Sequence, residues 1–253
     1  MKFQAETDLT QIRGLSKCFL YLEPEETQFS PMLVHHPFTS SGFVGLRDDE
    51  GDVQIGNILE KEDDRARWQR QLGKVIDDSR DVFEIYSRIE KPYALAFLKY
   101  ATPFLSQKDF SLILGDAWLR SEQPNHDPNL SQKQLLKMFS VADPKILMED
   151  VERKRLAELD AVVTVYRGTH SDKPNSERAL SWTLNWDTAQ WFANRYGKDG
   201  KLYEAQIEKE HIHALFLRRE ESEVILDPKY LTEVVQVPKM EQAEEITMGG
   251  MKW

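Results

Sequence analysis

Cysteine is almost absent from this sequence, since Cys18 is the only one among 253 residues. A single thiol cannot form a disulfide within the chain, and it excludes a metal site built on cysteines. We interpret Cys18 as a small packing residue rather than as a nucleophile, because a lone cysteine is usually buried and inert.

Long apolar runs and net positive charge are also missing. No hydrophobic stretch approaches the ~20 residues that a membrane-spanning helix needs, and residues 1–6 lack the apolar core of a signal peptide. The formal net charge of -10 argues against broad electrostatic capture of nucleic acid, although it allows a local basic patch. With 40% hydrophobic and 30% charged residues, the composition is that of a globular chain, which we expect to be cytoplasmic.

The first 65 residues carry few signals that point to a function. Apolar runs at 18–22 and 32–34 predict strands or brief helices. The acidic stretch 48–52 predicts a solvated turn, because it lacks the spacing of a calcium-binding loop. His35 and His36 are interpreted as surface residues, since no third ligand stands at a telling interval.

From Arg65 onward the apolar residues recur at helical spacing. The first stripe contains Trp68, Leu72, Val75, Ile76, Val82, Ile85 and Ile89. Ser106 and Ser131 are predicted to cap two further helices. Pro144 is predicted to start another helix, whose core-facing residues would be Ile146, Leu147, Val151, Leu156 and Leu159.

After Asp160 the pattern changes to short strands. Residues 161–166 are mostly β-branched and uncharged, as expected of a buried strand. Asp187 and Gly197 are predicted to bound a helix, as its N-cap and its stop. Further strands are predicted at 181–183, 202–207, 212–217, 224–226 and 234–237.

Three short signals in this region carry polar chemistry. Arg167 and Gly168 end the first strand, where a guanidinium offers a planar donor fork to phosphate and a glycine lets a ligand approach the backbone. Ser181 and Thr183 would share one face of a strand. On the residues alone, Arg167 also fits a buried ion-pair partner of a carboxylate.

The third signal is the pair Glu221 and Glu223, which precedes an apolar strand. Glu-x-Glu is common in this acidic chain, and what distinguishes this pair is its position, where a strand would hold both side chains rigidly on one face. Two carboxylates so placed can divide their work. One stabilises a developing cation, and the other orients or deprotonates a nucleophile.

Arg, then Ser-x-Thr, then Glu-x-Glu resembles the arginine–serine–glutamate clade of mono-ADP-ribosyltransferases. In that family a phenylalanine and an arginine follow the serine at eleven and fourteen positions, which are Phe192 and Arg195 in this sequence. The resemblance covers residues 160–230, and its five matched elements make it fairly specific. The loop before Glu221 is short and basic here rather than aromatic, and that loop usually helps to select the target.

The resemblance implies a role for each matched residue in binding NAD. Arg167 would hold the NAD phosphate or the nicotinamide-side ribose, and the backbone of Gly168 would bond the nicotinamide amide. Phe192 would stack on the nicotinamide ring and Arg195 would pair with the pyrophosphate. Thr183, the second hydroxyl residue of the motif, would belong to the same NAD site.

The resemblance also implies how the reaction is divided among three residues. Ser181 would aim Glu223, and Glu223 would grip the ribose 2′-hydroxyl and stabilise the oxocarbenium ion. Glu221 would position the attacking group, an arginine guanidinium in most relatives with glutamate there. No metal is required, and His211 and His213 are interpreted as ordinary strand residues.

The expected fold is α/β in the α+β sense, with a mainly helical N-terminal part followed by a core of mostly antiparallel strands around an NAD cleft. We expect an N-terminal region at 1–105, a catalytic domain with its leading helices at 106–238, and a mobile tail at 239–253. The resemblance implies a bacterial toxin, effector or phage-conflict factor, with a neutralising antitoxin as a candidate partner.

The acceptor of ADP-ribose remains open between several classes. We favour a protein side chain, because a chain of charge -10 repels a polyanion over most of its surface. The basic pair Arg218 and Arg219 favours the alternative of a nucleic acid. Transfer to water is a further alternative, and an inactive binding protein that keeps only the fold is a different class.

Overall fold

The computed structural model describes residues 2–122, 125, 127–169, 176–195 and 200–239. The chain divides into two compact units, 1–153 and 154–253, called here the N-terminal and C-terminal units. The helices of 106–153 therefore belong to the N-terminal unit, whereas we expected them to lead the catalytic domain. Gly197, the loop 170–175 and the tail from 240 lie outside the described residues.

Helices dominate the described part of the N-terminal unit, as predicted. They are α1 (Leu9–Leu20), α2 (Glu62–Asp78), α3 (Val82–Tyr86), α4 (Ala94–Ala101), α5 (Gln107–Arg120), α6 (Gln132–Val141), α7 (Pro144–Leu147) and α8 (Asp150–Ala157), which crosses the unit boundary. Two antiparallel hairpins join them, β1 (Glu25–Glu26) with β2 (Val34–His35) and β3 (Phe43–Arg47) with β4 (Val53–Asn57). No helix in the described residues is long and apolar enough to cross a membrane.

Side-chain caps explain where several helices begin. Ser106 accepts a hydrogen bond from the Asp109 N–H at 3.1 Å, and Ser131 forms a capping box with Gln134, so both predicted caps are confirmed. The helix that starts at Pro144 is shorter than predicted. Glu152 accepts a hydrogen bond from the Glu149 N–H at 2.8 Å, at the start of a separate helix, α8. Val151, which was predicted to face the core, is 57% exposed on this helix.

Three further residues of the N-terminal unit differ from their predicted environments. Cys18 is exposed on α1, so its interpretation as a packing residue is wrong. Val75 lies at the edge of the α2 stripe and is 37% exposed. His36 is buried, because its ring donates to the Leu22 carbonyl and accepts from the Phe38 N–H, both at 3.1 Å. The predicted turn at 48–52 is confirmed.

The C-terminal unit contains a six-stranded sheet in the order β10-β7-β5-β6-β9-β8, and every pair in it is antiparallel. The strands are β5 (Val162–Thr169), β6 (Ser181–Thr183), β7 (Lys201–Glu208), β8 (Ile212–Phe216), β9 (Glu223–Leu226) and β10 (Thr232–Val237). The expected α+β fold with antiparallel strands is therefore confirmed. Helix α9 (Trp186–Asn194) follows β6 and packs its buried Ala189 and Ala193 against Leu202.

Helix α9 begins two residues before the predicted position. Its N-cap is Asn185, whose side chain accepts from the Thr188 N–H at 3.1 Å. Asp187 lies inside the first turn, where its negative charge favours the helix N-terminus but does not cap it. Asparagine and aspartate are both good N-cap residues. The helix begins at the first of the two, Asn185, shortly after the buried end of β6.

Candidate active site

The predicted site residues lie around the joint of the sheet, by which we mean the single residue pair that connects β5 with β6. Strand β5 pairs with β7 over eight residues, from Val162 to Thr169, but pairs with β6 only through Tyr166 and Thr183. The two strands therefore part immediately after Tyr166. Arg167 is the next residue on β5, so its side chain lies where the two halves of the sheet separate.

Arg167 spans this joint with hydrogen bonds to two separate segments. Its Nε donates to the Ser176 carbonyl at 2.8 Å, and its Nη1 donates to the Ser181 carbonyl at the start of β6. Burial lowers the pKa of Arg167 to about 10, while the nearby Glu223 and Glu177 oppose that change. The guanidinium thus stays positively charged at neutral pH, and it leaves part of its donor fork for an anion.

Ser181 and Glu223 meet across β6 and β9. Thr183 pairs with Glu223 in the register of these strands, and Ser181 with Ile225. The Ser181 hydroxyl donates to Oε1 of Glu223 at 2.5 Å. Glu223 is only 9% exposed, so its carboxylate is held in one orientation at the end of a buried strand.

The backbone before Glu223 takes a conformation that side chains rarely adopt. Glu220 has φ of 57° and Ser222 has φ of 45°, which places both in the left-handed region. The Thr183 hydroxyl donates to the Glu221 carbonyl at 2.6 Å, and the Leu184 N–H donates to the Ser222 carbonyl at 3.0 Å. Such backbone costs roughly 1–3 kcal/mol for each residue and is concentrated at functional sites.

The Thr183 hydroxyl thus forms its hydrogen bonds with the protein backbone. The buried hydroxyl donates to the Glu221 carbonyl and accepts from the Asn185 N–H at 3.0 Å. These two bonds connect the loop that carries Glu221 with the start of α9. The motif assigns Thr183 to the expected NAD site, and in the structure its hydroxyl holds the loop that carries Glu221.

The Glu221 carboxylate lies on the outer side of the same turn and pairs with a guanidinium. Its Oε1 is 3.3 Å from Nη2 of Arg219, and the side chain keeps 24% of its exposure. The guanidinium of Arg218 lies over the Phe216 ring, 5.2 Å from its centroid. The basic loop therefore places one arginine on the predicted acceptor carboxylate and the other on an aromatic ring.

Gly168 is required for a reason other than the one we predicted. A Cβ at this position would lie 1.9 Å from the Ala189 carbonyl and 2.5 Å from the Ala193 nitrogen. The glycine therefore allows α9 to pack directly on β5. The Cβ of Phe192 would lie 2.9 Å from that added atom, so Phe192 lies beside Gly168 with its side chain partly exposed.

Arg195 lies at the C-terminal end of α9, just beyond Phe192. Its guanidinium lies over the Trp191 ring, 5.2 Å from the centroid, and Trp191 meets Phe192 edge-on at 5.0 Å. The two predicted NAD contacts of α9 thus form one row of aromatic and basic groups. Trp191 is 53% exposed and carried no motif that predicted its place in this row.

Two residues around Arg167, Ser176 and Glu177, were missed by the sequence reasoning. Ser176 supplies the carbonyl that Arg167 binds, and its hydroxyl donates to Thr169 at 3.1 Å. Glu177 supports the charge of Arg167 and raises the pKa of Tyr203, after burial of that phenol. Ser176 and Glu177 belong to the 3-10 turn Ser176–Arg178, whose sequence resembles any polar loop.

Two described histidines of the C-terminal unit, His211 and His213, were interpreted as ordinary strand residues. His213 belongs to β8 as predicted, whereas His211 ends a 3-10 turn and stacks on Tyr230 at 3.4 Å. The side chains of Glu208, Glu210 and His211 come within 4.8 Å of one another. Both glutamates are exposed, and groups of this kind are common without an ion.

Comparison of the chain with models of known protein families, with curated proteins and with solved structures gives no match.

Proposed function

We propose that this chain is an NAD-dependent mono-ADP-ribosyltransferase. The observation that carries the proposal is the contact between Ser181 and Glu223 next to Arg167. These residues lie 14 and 42 positions apart along the chain, yet they meet at the joint of the sheet. A buried carboxylate beside a half-buried guanidinium is costly unless the two groups are paired or used.

The reaction breaks the bond between the nicotinamide nitrogen and C1′ of the ribose. Nicotinamide leaves with the bonding electron pair, and positive charge develops on the ribose ring. Glu223 would stabilise that charge and hold the 2′-hydroxyl, because its carboxylate is fixed by Ser181 rather than free to turn. The acceptor then forms the new bond to C1′ and releases its proton.

Residues of β5 and α9 would bind NAD itself. Arg167 would offer its remaining donors to a phosphate or ribose oxygen, and the Gly168 backbone would bond the nicotinamide amide. Phe192 lies beside Gly168 and would stack on the nicotinamide ring. Arg195 would bind the pyrophosphate on leaving its position over Trp191. The reaction needs no metal.

A protein arginine is the acceptor that the site favours. The carboxylate of Glu221 already pairs with a guanidinium, that of Arg219 at 3.3 Å. An incoming arginine would offer the same planar donor group and would replace Arg219. A nucleic acid is the second candidate, because Arg218 and Arg219 are adjacent and can seat a phosphate.

The cellular setting follows from the proposed activity. A transferase that modifies an intracellular macromolecule acts as a toxin, an effector or a phage-conflict factor in the cytoplasm. A cell that makes such an enzyme needs protection, so we propose an antitoxin among its partners.

The test is incubation of the purified chain with labelled NAD and a cell lysate. We expect the label to enter macromolecules, to vanish from them after protease digestion and to survive nuclease. Label that survives protease and vanishes with nuclease would replace the protein acceptor by a nucleic acid. Absence of both transfer and nicotinamide release would contradict the enzyme itself.

A further inference from the structure

The hairpin β3–β4 has no part in the proposed reaction and carries an exposed apolar face. Phe43, Val53 and Ile55 lie on this outer face with 38%, 59% and 82% of their surfaces exposed. The opposite face packs on α2, where Leu46 is 1% exposed. Ile55 is the most exposed of the large apolar side chains in the described residues, so this face is not explained by the core.

The ladder of the hairpin determines which backbone groups point outward. Hydrogen bonds of 2.9 Å mark the bonded pairs at its two ends, Gly42 with Ile58 and Asp48 with Asp52. Bonded and non-bonded pairs alternate along an antiparallel ladder. The N–H and C=O groups of Val53 and Ile55 therefore point away from β3.

The outer edge of β3 is covered at its Arg47 end by side chains of α2. The Arg47 N–H donates to Gln71 at 3.1 Å, and the Arg47 carbonyl accepts from Arg67 at 2.6 Å. These bonds satisfy the outward groups at the end of the strand. A further strand would have to displace them, so this end of the edge is closed.

The outer edge of β4 is open along most of its length. At one end the Asn57 N–H donates to Asp64 at 2.9 Å. In the described part of the chain, the outward groups of Val53 and Ile55 have no protein partner. An exposed edge that carries β-branched apolar residues is a template for an added strand, because it offers hydrogen bonds and apolar surface together.

Acidic residues flank β4 at both ends. The turn before it contains Asp48, Asp49, Glu50 and Asp52. Residues 60–64 after it comprise four acidic residues, Glu60, Glu62, Asp63 and Asp64, and one cation, Lys61, and Arg65 follows. If two copies paired antiparallel through β4, the acidic turn of one would meet the acidic segment of the other. This like-charge contact disfavours a second copy as the occupant.

We propose that the edge of β4 binds an extended segment of a partner protein by adding it as a strand. The segment has apolar residues at alternate positions, which cover Val53 and Ile55, and basic residues at both ends, which meet the two acidic segments. Its backbone bonds the outward groups of β4. The hydrogen bonds supply affinity, and the order basic, apolar, basic supplies selectivity.

The probe for this proposal is a fluorescent peptide with two lysines at each end and alternating valine and threonine between them. Two versions are N-methylated at alternate residues, one in each phase, so that only one version loses the N–H groups that face β4. In anisotropy titrations with the full chain, we expect one version to bind at least about tenfold more weakly than the unmethylated peptide. The other version should keep its affinity, and glutamates in place of the lysines should weaken binding by about tenfold or more.

Variants of the chain test the same contact by altering β4 instead of the peptide. Ile55→Pro removes the outward N–H without removing a bond to β3, and it should abolish binding of the peptide. Ile55→Thr keeps that N–H and is the matched control, and circular dichroism checks the fold of both. Failure of the unmethylated peptide to bind, or equal binding of the two methylated versions, overturns the proposal. A dimer of the chain alone in sedimentation, lost in Ile55→Pro, would replace the partner protein by a second copy.

Discussion

The hydroxyl of Ser181 lies 2.5 Å from Oε1 of Glu223, and the paired strands β6 and β9 hold the two side chains at that distance. Because the hydroxyl donates to this oxygen, it fixes the direction in which the carboxylate points. The catalytic glutamate of the proposal is therefore oriented before any substrate binds.

Ser181→Ala should lower the rate of nicotinamide release by about 10–100-fold, because Glu223 loses the bond that orients it. The KM for NAD should change little, since the hydroxyl is spent on Glu223. Steady-state kinetics measure both constants. Ser140→Ala, on an exposed residue of α6, is the control. An unchanged kcat would mean that the contact only stabilises the fold.

Arg167→Lys should weaken NAD binding even though it keeps the charge. An ammonium cannot reach the Ser176 and Ser181 carbonyls together and still offer a planar fork to a phosphate. Calorimetric titration with NAD measures the loss, with Arg178→Lys, on an exposed neighbouring arginine, as the control. Equal affinities of the two variants would show that Arg167 does not contact NAD.

Glu221→Gln should stop transfer to an arginine acceptor while slow hydrolysis of NAD continues, because Glu221 acts on the nucleophile and departure of nicotinamide depends on Glu223. Arg219→Ala should have the opposite effect on transfer, since it frees the carboxylate that Arg219 now occupies at 3.3 Å. Transfer to a synthetic arginine peptide and release of nicotinamide are measured in parallel. If both activities fall together in Glu221→Gln, Glu221 does not act on the acceptor alone.

Burial of His36 should make the stability of the protein depend on pH. Desolvation lowers its pKa from 6.5 to about 4 in the folded protein, so the unfolded chain takes up the proton first as the pH falls. The contribution is complete above pH ~6.5 and is lost as the pH falls towards 4. The free energy of unfolding, measured by urea at several pH values, should fall less steeply with decreasing pH in His36→Gln than in wild type. His35→Gln, on the exposed neighbour, should keep the wild-type slope.

Local patterns were sufficient to predict most elements of the chain. The β-branched run at 162–166 and the apolar run at 224–226 became β5 and β9, because such residues suit a buried strand whatever surrounds it. Ser106 and Ser131 cap their helices through bonds that reach only three residues along the chain. These features depend on neighbours in sequence.

Features that depend on distant residues were not predictable in this way. His36 is buried because Leu22 and Phe38 offer it hydrogen bonds, and nothing in the pair His35–His36 indicates that. The motif marked Gly168 as a ligand contact, although the close approach of α9 is what requires the glycine. Arg167 was recognised by its motif, but its two carbonyl partners follow from the fold of segments that lie nine and fourteen residues away.

The most direct test of the account is the release of nicotinamide from NAD by the purified chain, compared between wild type and Glu223→Gln. The substitution keeps the shape of the side chain and removes the charge that would stabilise the oxocarbenium ion. The account predicts that the rate falls by about 10²–10³ while calorimetric NAD affinity and thermal unfolding stay close to wild type. Glu208→Gln, at the exposed end of β7, should leave the rate unchanged. A Glu223→Gln enzyme as active as wild type would contradict the assignment of this site.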